Sequence, residues 1–560
     1  MINKIRLIVL MLLVNGVCIG QIKTIVFKTS NPEQYSKVDF DVELIAQFSN
    51  PYFQEEVALD MKIVTPSGKK ITLPCYYDKG ESGKMSLWKA RFTPQESGEY
   101  RYTFQLLRSG KKYSVSEQQC FHIAPTHKRG FLQVKTNWAL QFDNGEYFRG
   151  VGENICWESR DVDDSSFFKE LHERKDVYNY EYLLTDLARN GGNFFRTWLC
   201  SWNLPIDYEG PFNNSRYQMS DEYYNPTALA RLDYLVELAE SLNLYMMLTI
   251  GQGGFTIRDR GVVSSQEDFF SNPKARAWYK NRLRYIVARW GYSPAIAMWE
   301  FFNEVDNVQF RDPDNPIDGK LIVDWHDEMS TYIKQLDPYQ HIVTTSISHR
   351  DIEGLNSIKN IDINQKHIYN NTSVIPKEIN NYLAEFGKPY IIGEFGREWD
   401  WSKNFDDFSH EMDIDFKRGL WYGIFSPTPV TPMSWWWEYF DARRITPYLR
   451  SVREINDRML ISGNGEFRPL EVKADGLEAF GVRCGKEIYV YLFNPNNATI
   501  MNDVEILFSE RNSQYKGESF EPTMRVYNEI RNIENVEGRI IIKNEIIGSF
   551  SEIVYIFTPL

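Results

Sequence analysis

The sequence predicts a multidomain chain, α/β in its middle and all-β at both ends: a central (β/α)8 TIM barrel flanked by an N-terminal β-sandwich and a small C-terminal β-sandwich. Three observations lead there. The chain has 560 residues, more than one ordinary hydrophobic core accommodates, and about three domains is the expectation for that length. Its composition, 42% hydrophobic and 25% charged, is globular and excludes a disordered or fibrous protein. Apolar residues recur with period two near both ends, whereas the middle alternates short apolar runs with amphipathic helical stretches, the pattern of repeated βα units.

Residues 1–20 read as a secretory signal peptide. Met1-Ile-Asn-Lys-Ile-Arg6 supplies the charge, Leu7 to Val14 the apolar run, and small residues close it near Gly20. The mature chain is expected to begin near Gln21 and to be secreted, periplasmic or held at the cell surface. A lipid anchor on Cys18 is the alternative, but Asn15-Gly-Val17 lacks the leucine and the small residue that such a signal uses. No later stretch reaches the roughly 18–20 apolar residues of a membrane span, so no transmembrane segment is expected in the mature chain.

Residues 21–128 carry alternating runs such as Val38-Asp-Phe-Asp-Val-Glu-Leu44 and Tyr100-Arg-Tyr-Thr-Phe104, parted by turn signals such as Pro66-Ser-Gly-Lys69, which is a β-sandwich signature. The stretch from Trp88 to Tyr100 resembles the edge of an immunoglobulin-like (Ig-like) module. Residues 129–462 hold eight strand candidates: Tyr147–Asn154, Asn193–Leu199, Leu244–Ile250, Ile296–Glu304, His341–Ile347, Asp362–Tyr369, Tyr390–Gly396 and Thr431–Glu438. Helical stretches lie between them, for example 225–241 with its Leu229, Leu232, Leu235, Val236 stripe, and eight such units close a barrel. Residues 463–560 return to alternation, as in Glu487-Ile-Tyr-Val-Tyr-Leu-Phe493 and Ile553-Val-Tyr-Ile-Phe557. Beyond the signal, cysteines stand at 75, 120, 156, 200 and 484, an odd and widely spaced set that argues against a disulfide framework or a zinc site, with a Cys75–Cys120 bridge still compatible.

The net charge of −13 and the lack of a basic stripe exclude nucleic acid as a partner. Gly251-Gln-Gly-Gly254 lacks the register of a phosphate-binding loop and reads as a turn. Aromatic residues make up 15% of the chain. Most such rings fill cores, but several Trp cluster at predicted strand ends, where sugars stack.

The reacting groups of such a barrel sit where its strands end. The fourth candidate finishes Met298-Trp-Glu-Phe-Phe-Asn-Glu-Val-Asp306 and the seventh Ile391-Ile-Gly-Glu-Phe-Gly396, so Glu304 and Glu394 reach one rim from opposite sides. Glycoside hydrolysis with retention needs such a pair, one carboxyl to protonate the leaving oxygen and one to attack the anomeric carbon. With these motifs the barrel, about three-fifths of the chain, resembles glycoside hydrolase clan A and most closely its family 5, the cellulase- and mannanase-like enzymes. That resemblance implies Glu304 as acid/base, Glu394 as nucleophile, Asn303 on the sugar 2-hydroxyl, and Arg196 of Phe194-Phe-Arg196 bonded to the nucleophile. It also implies that Tyr369 of His367-Ile-Tyr369 orients the nucleophile and that Trp436 of Trp435-Trp-Trp437 floors the reacting-sugar subsite; Trp157 and Trp198, placed after the first and second strands, are further candidates for stacking walls. The chain departs from the family in lacking a histidine after the third strand, where it reads Thr249-Ile-Gly-Gln.

Glu300 faces the barrel interior and reads as structural, while Glu153 and Glu438 are reserve carboxylates. His367 has no second ligand at metal spacing, and neither metal nor organic cofactor is implied. The expected activity is hydrolysis of β-linked poly- or oligosaccharides. The rival reading, a non-catalytic carbohydrate-binding scaffold with a degenerate barrel, is countered by the complete carboxylate pair and its supporting Arg, His and Tyr.

Overall fold

The computed structural model describes residues 21–251, 263–398, 400, 403–508 and 514–560; the signal segment and positions 252–254 of the glycine-rich turn lie outside the described residues. The chain divides into two compact units, one comprising residues up to Thr126 with Asn281–Arg289, the other His127–Lys280 with Trp290–Leu560.

In the first unit, two antiparallel sheets form the sandwich. One orders Gln21–Phe27, Val38–Ile45, Met85–Phe92 and Tyr76–Gly80; the other orders Lys70–Pro74, Val57–Val64, Gly98–Arg108 and Lys111–Val115, with Gln119–Ile123 also on Gly98–Arg108. The period of two puts Val38, Phe40, Val42 and Leu44 in the core, and Phe40 meets Phe104 of the facing sheet at 5.9 Å between ring centroids. Cys75 is buried, Cys120 is exposed and both are free thiols, so the compatible bridge does not form.

The second unit holds the barrel. Its parallel strands are Gly152–Asn154, Phe194–Trp198, Tyr245–Thr249, Ile296–Glu300, Ile342–Thr344 continued by Ser346–Ile347, Asn364–Tyr369 and Tyr390–Gly396. Nearly every residue in them is buried, because rings of helices cover one face and the packed interior the other. Leu140, Phe148, Met247, Met298, Ile391 and Met433 belong to one core cluster in this interior. The helix Pro226–Leu242 starts where Asn225 accepts from the backbone N–H of Thr227 and Ala228, and stops at left-handed Asn243.

Two elements differ from the sequence reading. The first strand is short because Tyr147–Phe148 instead closes a small antiparallel sheet with Leu140–Phe142. The eighth segment forms no regular strand: Val430 and Ser434 make only isolated bridges, to Gly150, Glu153 and Phe395. Trp436 has a left-handed φ of 64°, which turns the chain into the helix Trp437–Ala442 before a ladder can develop. The Asn154 side chain completes the closure, its amide donating to the carbonyls of Gly393, Met433 and Ser434 at 3.0, 3.2 and 3.1 Å.

Beyond the helix Leu449–Gly463 two further sheets follow, with Val490, Ile506, Ile542 and Tyr555 in their shared core. They are fixed to the barrel by Trp421 stacked on Tyr491 at 5.7 Å, by the Tyr448 hydroxyl on Glu552, and by Arg458 on Glu518 at 2.5 Å.

Candidate active site

A cavity of about 720 Å³ lies among the loops that follow the barrel strands. Glu394 comes from the seventh strand, and Glu304 lies four residues beyond Glu300, the end of the fourth. Glu304 takes a left-handed φ of 51° as it opens the short helix Val305–Gln309, a conformation uncommon outside glycine. Its backbone N–H is held by the Ser346 hydroxyl at 2.9 Å, and its Oε2 accepts from Asn307 at 2.9 Å.

His367 joins the two carboxylates. Its Nδ1 lies 2.9 Å from Glu304 Oε1 and 3.3 Å from Glu394 Oε2. Burial opposes a charge on this ring, but Glu394 and Glu304 outweigh it and raise its pKa to about 9, so the ring is an imidazolium at neutral pH. A Cβ on Gly393 would stand 2.5 Å from Gln365 Oε1 and 3.0 Å from His367 Nε2, so glycine before Glu394 lets this ring pack there.

Glu394 is the best-held group of the site. Tyr369 donates to its Oε2 and Arg196 Nη1 to its Oε1, both at 2.5 Å. Burial alone would raise its pKa, yet the His367 and Arg196 charges and the hydrogen bonds of His367 and Tyr369 hold it at about 2. Burial and the neighbouring Glu394 push Tyr369 well above its ordinary value, so it stays protonated and donates. Arg196 is fully buried and also binds Glu300 through Nε at 2.6 Å and Nη2 at 2.9 Å, and Asn303 Oδ1 at 2.7 Å. Glu300 accepts further from Gln365 at 2.6 Å and from Thr249. Its oxygens are thus occupied, and it serves to fix Arg196.

Asn303, Glu304, His367, Tyr369, Glu394, Trp157 and Trp198 all line the cavity. Trp436 does not: its backbone turn sends the indole onto Phe405, with ring centroids 4.5 Å apart, and its Nε1 onto the Arg397 carbonyl at 2.8 Å. Trp435, one residue earlier, lines the cavity instead and meets Trp157 at 5.4 Å. Of the reserve carboxylates, Glu153 is buried outside the lining, and burial raises its pKa well above the usual value. Glu438 is engaged by His172 at 3.3 Å and by Ser159 at 3.2 Å.

Several residues of the site belong to no catalytic motif; for the insert from Glu158 to Tyr180, rich in Asp and aromatics, the sequence points only to a part in substrate choice. Arg160, Asp164, Ser165 and His172 of the insert after the first strand, with Trp202, form one wall; Asn307, Ser348 and His349 line another part. A motif cue did exist for the last group. Asp306, two residues past Glu304, is buried and receives the backbone N–H groups of Ser348 and Arg350 at 2.7 and 3.1 Å, anchoring that loop.

Among the described residues one trio could hold a metal ion: Glu304, His367 and Glu394 offer atoms that all lie within 4.8 Å of one another. Local sequence spacing could not reveal it, because the three come from different strands. The imidazolium and the Arg196 guanidinium already bring to the carboxylates the positive charge a cation would supply.

The paired carboxylates with Arg196, His367 and Tyr369 around them are the arrangement expected of a clan A glycoside hydrolase. Residues 163–416 match the family model for cellulase, glycosyl hydrolase family 5. Residues 31–106 match a domain of unknown function, DUF5060. The chain is similar to mannan endo-1,4-beta-mannosidase A of Podospora anserina, at 27% identity over 35% of this chain and 58% of that protein. It is also similar to mannan endo-1,4-beta-mannosidase 8 of Oryza sativa subsp. japonica, at 24% identity over 43% and 74%. The chain thus spans little more than half the length of the first of these relatives. A solved structure from Bacteroides vulgatus ATCC 8482, provisionally described as a glycoside hydrolase, has the same fold, with a TM-score of 0.66 at 14% identity over 95% of this chain and 100% of that one.

Proposed function

We propose that this chain is an exported retaining glycoside hydrolase that cleaves β-glycosidic bonds of polysaccharides or their oligosaccharides by double displacement. The observation that carries the reading is the spacing of the carboxylates: Glu304 and Glu394 offer oxygens within 4.8 Å of each other through the shared His367. Retaining enzymes keep their carboxyl groups ~5–5.5 Å apart, whereas inverting ones leave ~6.5–9.5 Å for a water. Glu394, ionised at any ordinary pH, attacks the anomeric carbon; Glu304, the more accessible of the two, gives its proton to the leaving oxygen and then takes one from the incoming water. Asn303, steadied by Arg196, faces the sugar beside the acid.

No helix among the described residues is long and apolar enough to cross a membrane, and the N-terminal segment reads as an export signal. The modules are assigned as 21–128, 129–462 and 463–560. The names of the curated relatives make β-1,4-mannan the first substrate to assay. The test follows by NMR the anomer first released from a panel of β-linked polysaccharides and aryl β-glycosides. Release of the β-anomer, abolished in Glu394→Ala, supports the reading; release of the α-anomer, or equal turnover by the variant, removes it.

A further inference from the structure

Away from the carboxylate pair the cavity is walled by side chains that the mechanism does not use. Trp157 lies 5.3 Å from Trp198 and 5.8 Å from Trp202 between ring centroids, and the Arg160 guanidinium stands 5.8 Å from both the Trp157 and the Trp202 rings. All four residues line the cavity. Arg160 spends Nη2 on Asp163, but its Nε and Nη1 are buried with no hydrogen-bond partner, and the same holds for Nε1 of Trp157, Trp198 and Trp202. Indole and guanidinium nitrogens donate and cannot accept, so these four side chains offer donors only. A buried donor left unmet is destabilising, which makes such a grouping complementary to a ligand that brings acceptors.

The wall also lies on a definite side of the bond to be cleaved. The leaving oxygen must sit at Glu304, and the lining continues past it with Asn307, Ser348 and His349 from the loops after the fourth and fifth strands. Arg160 follows the first strand, which two others separate from the fourth in the sheet. The part of the substrate retained on Glu394 therefore extends towards Arg160.

We infer that this wall is a glycone subsite for a sugar bearing a carboxylate, a β-linked uronic acid residue, with the carboxylate received by the free N–H groups of Arg160 and the surrounding indoles. The inference rests on the hydrolase reading for its sidedness. A neutral hydroxyl brings a proton along with each acceptor and would leave that proton unmatched against donors, whereas a carboxylate brings two oxygens and no proton. Hydrogen bonds between a guanidinium and a carboxylate are about twice as strong as neutral ones. The carboxylates nearest Arg160 do not cancel this. Asp163 is shared with Ser165 and His172, and Asp164 is exposed, where solvent and salt screen it.

The test uses two β-linked trisaccharides that differ only in a glucuronosyl or a glucosyl residue at the non-reducing end. Wild type is expected to prefer the glucuronosyl compound in kcat/KM, and Arg160→Met to lower that preference roughly 10- to 100-fold, with Arg160→Lys regaining part of it. Wild type without the preference, or a preference unchanged in Arg160→Met, overturns the inference whatever happens to the absolute rates. Calorimetric binding of both compounds to Glu394→Gln separates the two claims. Tighter glucuronosyl binding that depends on Arg160, without turnover by wild type, keeps the subsite and removes the hydrolase reading. Turnover with equal binding of the two compounds does the reverse.

Discussion

His367 and His172 occupy comparable settings in one barrel. Each is buried between two carboxylates, and in each burial opposes the charge while the carboxylates raise the pKa to about 9. They differ in which nitrogens they use. His367 turns a single nitrogen, Nδ1, to both Glu304 and Glu394, which draws the two carboxylates together. His172 spends Nδ1 on Asp163 at 3.2 Å and Nε2 on Glu438 at 3.3 Å, which holds its carboxylates on opposite sides of the ring. The solvent contact differs as well: Glu304 is 19% exposed, whereas Asp163 is fully enclosed and bonded to Arg160 and Ser165. One arrangement produces a reacting pair beside open space; the other is a strut tying the insert after the first strand to the helix Trp437–Ala442.

The largest expected effect sets these two arrangements against each other. Glu394→Gln should lower kcat by on the order of 10⁴-fold or more and Glu304→Gln by roughly 10²- to 10⁴-fold on a substrate with a poor leaving group. Asp163→Asn on the strut should change kcat less than about tenfold; an equal loss there would erase the distinction. Next comes stability. Arg196→Met strands Glu300 and Glu394 without their buried cation, and urea unfolding should show a loss of about 3–5 kcal/mol.

A smaller effect is in pH. The folded pKa of His172 lies above its ordinary 6.5, so its contribution to stability is complete below pH 6.5 and is lost as pH rises through about 9. Melting temperatures of the wild type should therefore fall across that interval, and His172→Gln should flatten part of the fall, the His367 share remaining. An identical pH profile in the variant would mean that His172 is neutral in the fold. The smallest contrast lies in the tryptophans: Trp435→Phe should raise KM severalfold, up to about tenfold, while Trp436→Phe should cost about 1 kcal/mol of stability through the Arg397 carbonyl bond and leave KM nearly unchanged.

The parts of this site that the sequence exposed are those fixed by strand periodicity. Glu394, His367 and Tyr369 lie within regular strands, so alternation places them, and Glu304 follows its strand closely enough to share the rim. The resemblance points to a tryptophan of the eighth segment without fixing which of Trp435, Trp436 and Trp437 it is; the positive φ of Trp436 turns its indole away from the lining, and no local pattern announces that turn. Arg160, Asp163 and His172 lie in an insert with neither period, and their partners are distant in sequence, Glu438 above all. Glu300 was read as structural from its inward direction alone, but its service to Arg196 needs two strands brought together.

The seam of the barrel has a consequence for how the chain assembles. Asn154 and Ser434, whose bond helps to close the ring, are 280 residues apart, and most of the other backbone ladders join strands far nearer in sequence. Contacts of such long range form late, because the loop they close must first lose its conformational entropy. Ring closure around Asn154 is thus expected to be the slow folding event of the barrel, and the cavity, with Trp435 just beyond the seam, takes shape only when it is complete.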